Sequence, residues 1–176
     1  MLEDFPGNEF LEDFYGDNVR WALPMQLSFL TMRHSQLRTM ITPLTWPVVI
    51  DYSQLKNSTF ARVLLEGREL RLYDQLSMPF EADVLRPNLI MYLDARDEVL
   101  LDRIRRRNRA YEAVIDSAYQ QRIRNAYEEA FSARPELKIS RYDTSDLDLG
   151  SLADIRRLQD ALLSALPHFK FVTISD

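Results

Sequence analysis

The chain has 176 residues, 46% hydrophobic and 28% charged, which suffices for one buried core and matches an ordinary globular domain. It contains no cysteine, which excludes a disulfide framework, thiolate catalysis and a cysteine-bound metal, and two histidines far apart, His34 and His168, argue against a Ser-His-Asp triad or a histidine metal site. A formal charge of −5 argues against a surface built for nucleic acid.

The start Met1-Leu2-Glu3-Asp4 has neither the basic nor the apolar region of a signal peptide, so a cytoplasmic protein is expected. Pro6-Gly7 marks a turn, with Asn8 as a helix cap. From Leu11 the apolar spacing becomes helical, and Trp21, Met25, Phe29 and Met32 share one face. The pattern predicts a helix to about Met40, bent or restarted near Pro24. Pro43 and Pro47 bracket a break before Val48-Val49-Ile50, which reads as a buried strand with Asp51 at its C-terminal tip. Helices are predicted over 56–66 and 67–80, punctuated by Gly67 and Pro79.

Pro87 introduces the clearest strand, 88–94, followed by helices over 97–107 and 117–131. A strand over 137–142, an acidic loop over 143–150, a helix over 151–166 and a short strand from Phe169 to Ile174 complete the chain. The longest apolar runs, such as Leu89 to Leu93, are far too short to cross a bilayer. Strands separated by helices predict a single α/β domain over 1–176 with a mainly parallel sheet. Ligands of such sheets sit at the carboxyl ends of the strands, where Asp51 and Asp94 fall.

The densest charge is Arg103-Ile104-Arg105-Arg106-Arg107-Asn108-Arg109, followed by Tyr111 and Glu112. Arginines this crowded repel one another unless an anion is near, and their forks bind phosphate oxygens bidentately, as a lid over ATP would. The run also reads as a solvated basic face paired with Asp97, Glu98 and Asp102. A nucleic-acid patch is weakened by the acidic total and by the lack of interleaved aromatics. A second concentration runs from Phe14 to Gln26. Gln26 is a lone amide among apolar neighbours, able to donate to and accept from a nucleobase edge, or else an amide at the rim of the core. Trp21 and Phe29 read as core or as walls for a flat ring, and Arg33 taken alone reads as surface.

In combination, these segments resemble the deoxynucleoside kinases. Phe10 to Gln26 is similar to their nucleoside-site segment, with its Phe-Tyr, Trp-Ala-x-Pro and Gln features. Pro87 to Leu93 resembles their strand before the lid helix. Arg103 to Glu112 resembles their Arg-Ile-x-x-Arg-Gly-Arg-x-x-Glu lid, with Asn108 where a glycine usually stands. The resemblance covers roughly residues 1–131 and is nearest to the bacterial deoxyadenosine and deoxyguanosine kinases, through Asn8-x-Phe10-Leu11-x-Asp13-Phe14-Tyr15.

The resemblance implies a P-loop-kinase-like parallel sheet flanked by helices, with a lid over about 103–116. It implies transfer of the ATP γ-phosphate, with Mg²⁺, to the 5′-hydroxyl of a deoxynucleoside in nucleoside salvage, with purines favoured. No nucleic acid or membrane partner is implied, and a homodimer is compatible. Glu3 matches the general base that takes the 5′-hydroxyl proton. Tyr15 and Glu112 match the pair that holds the 3′-hydroxyl. Gln26 matches the amide that reads the base, and Arg33 an arginine associated with purine reading. Asp51 lies on the substrate side at its strand tip, and Lys56 and Asn57 compete for the next base-proximal position. Arg103, Arg107 and Arg109 match lid arginines that neutralise the transferring phosphate, Arg103 and Arg107 also contacting ATP. None of these residues is implied as a metal ligand. The 143–150 loop corresponds to one beside the ATP adenine.

Two departures stand out. The family commonly carries Asp-Arg-Ser or Glu-Arg-Ser where this chain has Asp51-Tyr52-Ser53, which removes a cation near the base and the 5′-oxygen. Tyr52 reads as a trait of a purine-directed subgroup. The family also begins with a strand, a Gly-x-x-Gly-x-Gly-Lys-Ser/Thr loop and a helix. Here the only glycines are Gly7, Gly16, Gly67 and Gly150, and no Gly-Lys-Ser or Gly-Lys-Thr occurs. That loop's amides and lysine cradle phosphates, and its hydroxyl holds Mg²⁺. The expectation is a cut kinase chain lacking the first strand and P-loop, with little or no kinase activity of its own. The alternative is a non-catalytic nucleoside-binding or partner protein derived from the kinase fold.

Overall fold

The computed structural model describes residues 3–39, 48–82, 86–109, 112, 115–148 and 150–166. The break at Pro43 and Pro47, four lid positions (110, 111, 113 and 114), His168 and the expected strand from Phe169 to Ile174 lie outside them.

Helix α1 spans Leu11–Gly16 and α2 spans Asn18–Thr39, so the expected continuous helix is divided at Asp17. Asp17 leaves helical geometry, and its carboxylate accepts from Arg20 N at 3.1 Å, capping α2 from outside. Pro24 does not restart the helix: it sits inside α2, and helical turns on either side hold the chain together. Helices α3 (Leu55–Leu64) and α4 (Gly67–Ala82) follow, with Gly67 at a φ of 53°, a left-handed turn that suits glycine.

Strands β1 (Ile90–Asp94) and β2 (Ile139–Asp143) pair in parallel, from Ile90 opposite Ile139 to Asp94 opposite Asp143. A parallel pair needs a crossover, supplied here by α5 (Asp97–Arg107) and α6 (Ser117–Ser132). Helix α7 (Leu152–Ala165) closes the described chain. Residues 48–50 do not form the expected strand; Val48 is 39% and Val49 64% exposed. A β-branched run becomes a strand only when a neighbour supplies its ladder, and the sheet among the described residues has two strands, β1 and β2.

The core lies among the first four helices. Leu11, Phe14, Ala22, Met25, Phe29, Leu30, Ala61, Leu65 and Tyr73 are buried together. Each fully buried large side chain contributes roughly 1.5–3 kcal/mol. A smaller aromatic cluster joins sheet to helices: Tyr92 of β1 lies 5.2 Å from Tyr127 and 5.1 Å from Phe131 of α6, between ring centroids. Phe60 of α3 meets Tyr127 edge-on. This cluster fixes α3 and α6 across the strands, and with them the polar groups that α3 carries. Among the described residues no helix is long and apolar enough to cross a membrane.

Candidate active site

The face of α2 that carries Phe29 also carries Gln26 and Arg33, seven residues or two turns apart. Both are buried, at 2% and 3% exposure. Arg33 does not take the surface place that its residue type alone suggests. Its Nε donates to Glu3 Oε1 at 2.5 Å, its Nη2 pairs with the same carboxylate, and its Nη1 donates to Asn57 Oδ1 on α3. The guanidinium lies 4.4 Å from the Phe29 ring centroid, so the aromatic ring forms the floor beneath the cation.

Lys56, one residue before Asn57, reaches the other side of the carboxylate, with Nζ 2.5 Å from Glu3 Oε2. Of the two residues that compete for the base-proximal position, Asn57 contacts Arg33 and Lys56 contacts Glu3. Asn57 Nδ2 donates to Gln54 Oε1 at 3.0 Å. Asp51 Oδ1 accepts from the backbone N–H of Glu3 at 2.8 Å, which ties the carboxylate-bearing segment to the residue after Ile50. The Tyr52 hydroxyl donates to Gln36 Oε1 at 3.0 Å and toward the Arg33 carbonyl at 3.4 Å.

Burial pushes the Glu3 carboxyl upward, but Arg33 and Lys56 outweigh it and hold Glu3 below the ordinary carboxylate value. Burial pulls the Lys56 ammonium down, with Arg33 adding to the effect and Glu3 opposing it. Burial pushes the Tyr52 hydroxyl up to about 12.

Gln26 differs from these satisfied groups. Its Oε1 is buried with no hydrogen-bond partner, and its Nε2 faces the weak acceptor Met25 Sδ at 3.6 Å. A buried amide left this way costs about 1–3 kcal/mol unless something else completes it. Nearby, buried Asn8 donates from Nδ2 to the Met25 carbonyl at 3.0 Å and accepts from Phe10 N at 3.1 Å, which pins the entry loop to α2. The residue that caps α1 is Phe10, so Asn8 does not take the expected cap position; it ties the loop to α2 instead, a role visible only once α2 is in place. Trp21 stacks on Phe10 with centroids 5.8 Å apart, while Tyr15 is half-buried and edge-on to Phe14.

The residues expected to form a lid fall into two groups. Glu112, 4% exposed, accepts from Arg107 Nε at 3.0 Å and lies 3.5 Å from Arg109 Nη1. Arg109 also lies 5.4 Å from the Phe5 ring centroid, and Phe5 packs on Phe29 at 5.5 Å. A continuous series of contacts therefore runs from the lid through Phe5 and Phe29 to Arg33. Arg103 points elsewhere: Nη1 donates to Thr144 Oγ1 at 2.8 Å, and Nη2 to the Thr144 and Leu147 carbonyls at 2.6 and 3.2 Å. Its fork holds the acidic loop in place. Asn108 caps α5 at φ 51° and ψ 44°, the left-handed region that Asn tolerates better than most residues, which explains why it can replace a glycine.

At the strand ends, Asp94 accepts from Arg124 Nε at 3.2 Å and from Ala95 N at 2.8 Å. Arg124 also donates to Asp97 at 2.8 Å. The tip of β1 is thereby tied up in a local ion-pair network. A cavity of about 680 Å³ opens beside it, lined by Tyr92, Asp94, Arg96, Arg124 and Asp143 among others.

The deoxynucleoside kinase family model matches residues 2–163. The chain belongs to the deoxynucleoside kinase family. It is 30% identical over 155 residues to a deoxyguanosine kinase of Bacillus subtilis, covering 84% of this chain and 73% of that protein. It is 32% identical over 136 residues to a deoxyadenosine kinase of Dictyostelium discoideum, covering 73% of this chain and 54% of the relative. The fold matches a solved deoxyadenosine kinase from M. mycoides with bound dCTP at a TM-score of 0.75 and 21% identity, covering 93% of this chain and 86% of that one. The expected α/β kinase fold, with helices flanking a small parallel sheet, is thus established.

Lys56 is the residue whose contact with Glu3 the sequence did not indicate. Its signal was weak, since a lysine beside the Asp51-Tyr52-Ser53 stretch reveals its partner only after α3 is packed against residue 3.

Proposed function

We propose that these residues form the acceptor side of a kinase that transfers the ATP γ-phosphate to the 5′-hydroxyl of a deoxynucleoside, with purines favoured. The observation that carries this reading is Gln26: a buried amide with an unpartnered oxygen, two turns from Arg33, on the helix face that leads to Glu3. The base completes Gln26, accepting from Nε2 and donating to Oε1. Arg33 and Asn57 bound the base on the α3 side. Tyr15 and Glu112 hold the 3′-hydroxyl, and Asp51 supports Glu3 through its backbone.

Glu3, held ionised, accepts the proton as the 5′-oxygen bonds to the γ-phosphorus and the bond to the β-phosphate oxygen breaks. Arg107 and Arg109 exchange Glu112 for phosphate oxygens where the lid (about 103–116) meets the donor. Arg103 acts through the 144–147 turn. Among the described residues no cluster of three His, Asp or Glu side chains could hold a metal ion. The phosphate-cradling backbone of a P-loop is not among these 176 residues. They are therefore expected to bind a deoxynucleoside while transferring phosphate at background level.

Calorimetric titration with deoxyadenosine and deoxyguanosine tests the reading. Saturable binding is expected, weakened by Gln26→Ala by about 1–3 kcal/mol, or roughly 5- to 150-fold. Unchanged affinity would refute base reading by Gln26. Labelled phosphate transferred from ATP to either nucleoside, and abolished by Glu3→Gln, would refute the background-level expectation while supporting Glu3 as the base.

A further inference from the structure

Glu3 is gripped by two cations from two helices. Arg33 of α2 occupies Oε1, and Lys56 of α3 occupies Oε2. One cation on one oxygen leaves a carboxylate free to swing about its terminal torsion, which is soft. A second cation on the other oxygen fixes its plane. Both side chains are withdrawn from water, Glu3 at 9% exposure and Lys56 at 24%, so their attraction is weakly screened.

Tyr52 stands where the arginine of an Asp-Arg-Ser pattern would be, and its hydroxyl is engaged by Gln36 and the Arg33 carbonyl. The charges around Glu3 are Arg33 and Lys56 against Asp51 and Glu3 itself, with the neutral phenols of Tyr52 and Tyr127 further out. Two cations and two carboxylates cancel. Without Lys56 the site would face an anionic phosphate donor with a net negative charge, which opposes the approach.

We propose that Lys56 is a positioning residue for phosphoryl acceptance: it locks the Glu3 carboxylate toward the acceptor hydroxyl and supplies the positive charge that Tyr52 does not. The proposal rests on Glu3 receiving the 5′-hydroxyl proton. It adds that the receiving geometry is set from α3 rather than from residue 52.

Carbon-13 carboxyl signals of Glu3 in the 176-residue chain test it, followed through a pH titration with and without deoxyguanosine or deoxyadenosine. Lys56→Met is expected to raise the Glu3 midpoint, and Lys56→Arg to return it toward wild type. In the wild type the nucleoside should shift the Glu3 signal; Lys56→Met should lose that shift and Lys56→Arg regain it. Should Lys56→Met fold poorly, Lys56→Gln keeps a donor for Oε2 without charge and should still raise the midpoint. A Glu3 midpoint and nucleoside-induced shift unchanged in the neutral variants would overturn the proposal. If the midpoint moves as expected but calorimetry finds no nucleoside binding to the wild type, the acceptor-site reading fails while the Lys56–Glu3 pair stands.

Discussion

The helices that hold Glu3, Arg33 and Asn57 are packed very differently from the elements at the strand ends. Helix α2 buries Ala22, Met25, Gln26, Phe29, Leu30 and Arg33, and α3 buries Leu55, Asn57, Ser58, Thr59 and Ala61. Helices α5 and α7 bury no residue, and Leu93 of β1 is 49% exposed. The polar ties differ in the same sense. Those of Arg33 are buried, whereas the pairs of Arg96 with Asp146 and of Arg141 with Glu128 lie in solvent. The α2–α3 side, which we propose takes the nucleoside, is therefore preorganised by packing, while the strand-end side is held by exposed ties that can rearrange at little cost.

The most severe way to break this contrast is Arg33→Met. It removes the cation from a carboxylate at 9% exposure and strips Asn57 of its donor. Breaking a buried pair from one side costs about 3–5 kcal/mol. Denaturant unfolding should show a loss of that size; a loss under 1 kcal/mol would mean that Glu3 is not buried as described.

The same pair gives a pH signature. The folded Glu3 value lies below its ordinary 4.5, so its stabilisation is fully present above that pH and is lost as acid takes the pH down through the lowered folded value. Lys56 stays protonated across that range and adds no slope. Wild-type stability should therefore fall more steeply with acid than that of Glu3→Gln, and parallel curves from the two proteins would contradict the pairing.

Gln26 sharpens the contrast by separating stability from binding. Gln26→Leu removes a buried oxygen that has no partner in the free protein, so stability should hold or rise by about 1 kcal/mol. Nucleoside affinity should fall in the same variant. If both stability and affinity fall, Gln26 belongs to the core and not to the base.

Part of the frame around these residues was legible in the sequence. Gln26 stands out as a lone amide among apolar neighbours and the arginines of 103–109 by their density, and the helices around them follow from apolar spacing, whereas Arg33 alone reads as surface and Glu112 was implied only by the family resemblance. Pairings across long separations were not readable. Glu3 and Lys56 are 53 residues apart, and Arg103 and Thr144 are 41 apart, with nothing local in either segment to announce the other. Arg103, which the family resemblance implies as a phosphate ligand, has its fork on the Thr144 hydroxyl and on loop carbonyls here. The 48–50 strand failed for a related reason, since β-branched composition cannot specify whether a partner strand lies alongside.

Asn108, which caps α5, offers a milder test. Its left-handed backbone should accept Asn108→Gly with little change, whereas Asn108→Val forces a β-branched residue into that region at about 1–2 kcal/mol. Equal stability of the two variants would mean that α5 ends differently in solution.

The smallest effect belongs to the exposed pair of Glu128 with Arg141, whose side chains are 43% and 53% exposed. Both oxygens of Glu128 are engaged by the guanidinium, and the pairing holds the Glu128 carboxyl below its ordinary value. Water and salt screen such a pair, and ordering two long side chains offsets most of its attraction. Glu128→Gln preserves the shape and removes the charge, leaving Arg141 over the Phe131 ring. The expected loss is under about 1 kcal/mol, shrinking further in concentrated salt. A salt-insensitive loss as large as that of Arg33→Met would show that the strand side is as firmly built as the α2–α3 side, and would erase the distinction between them.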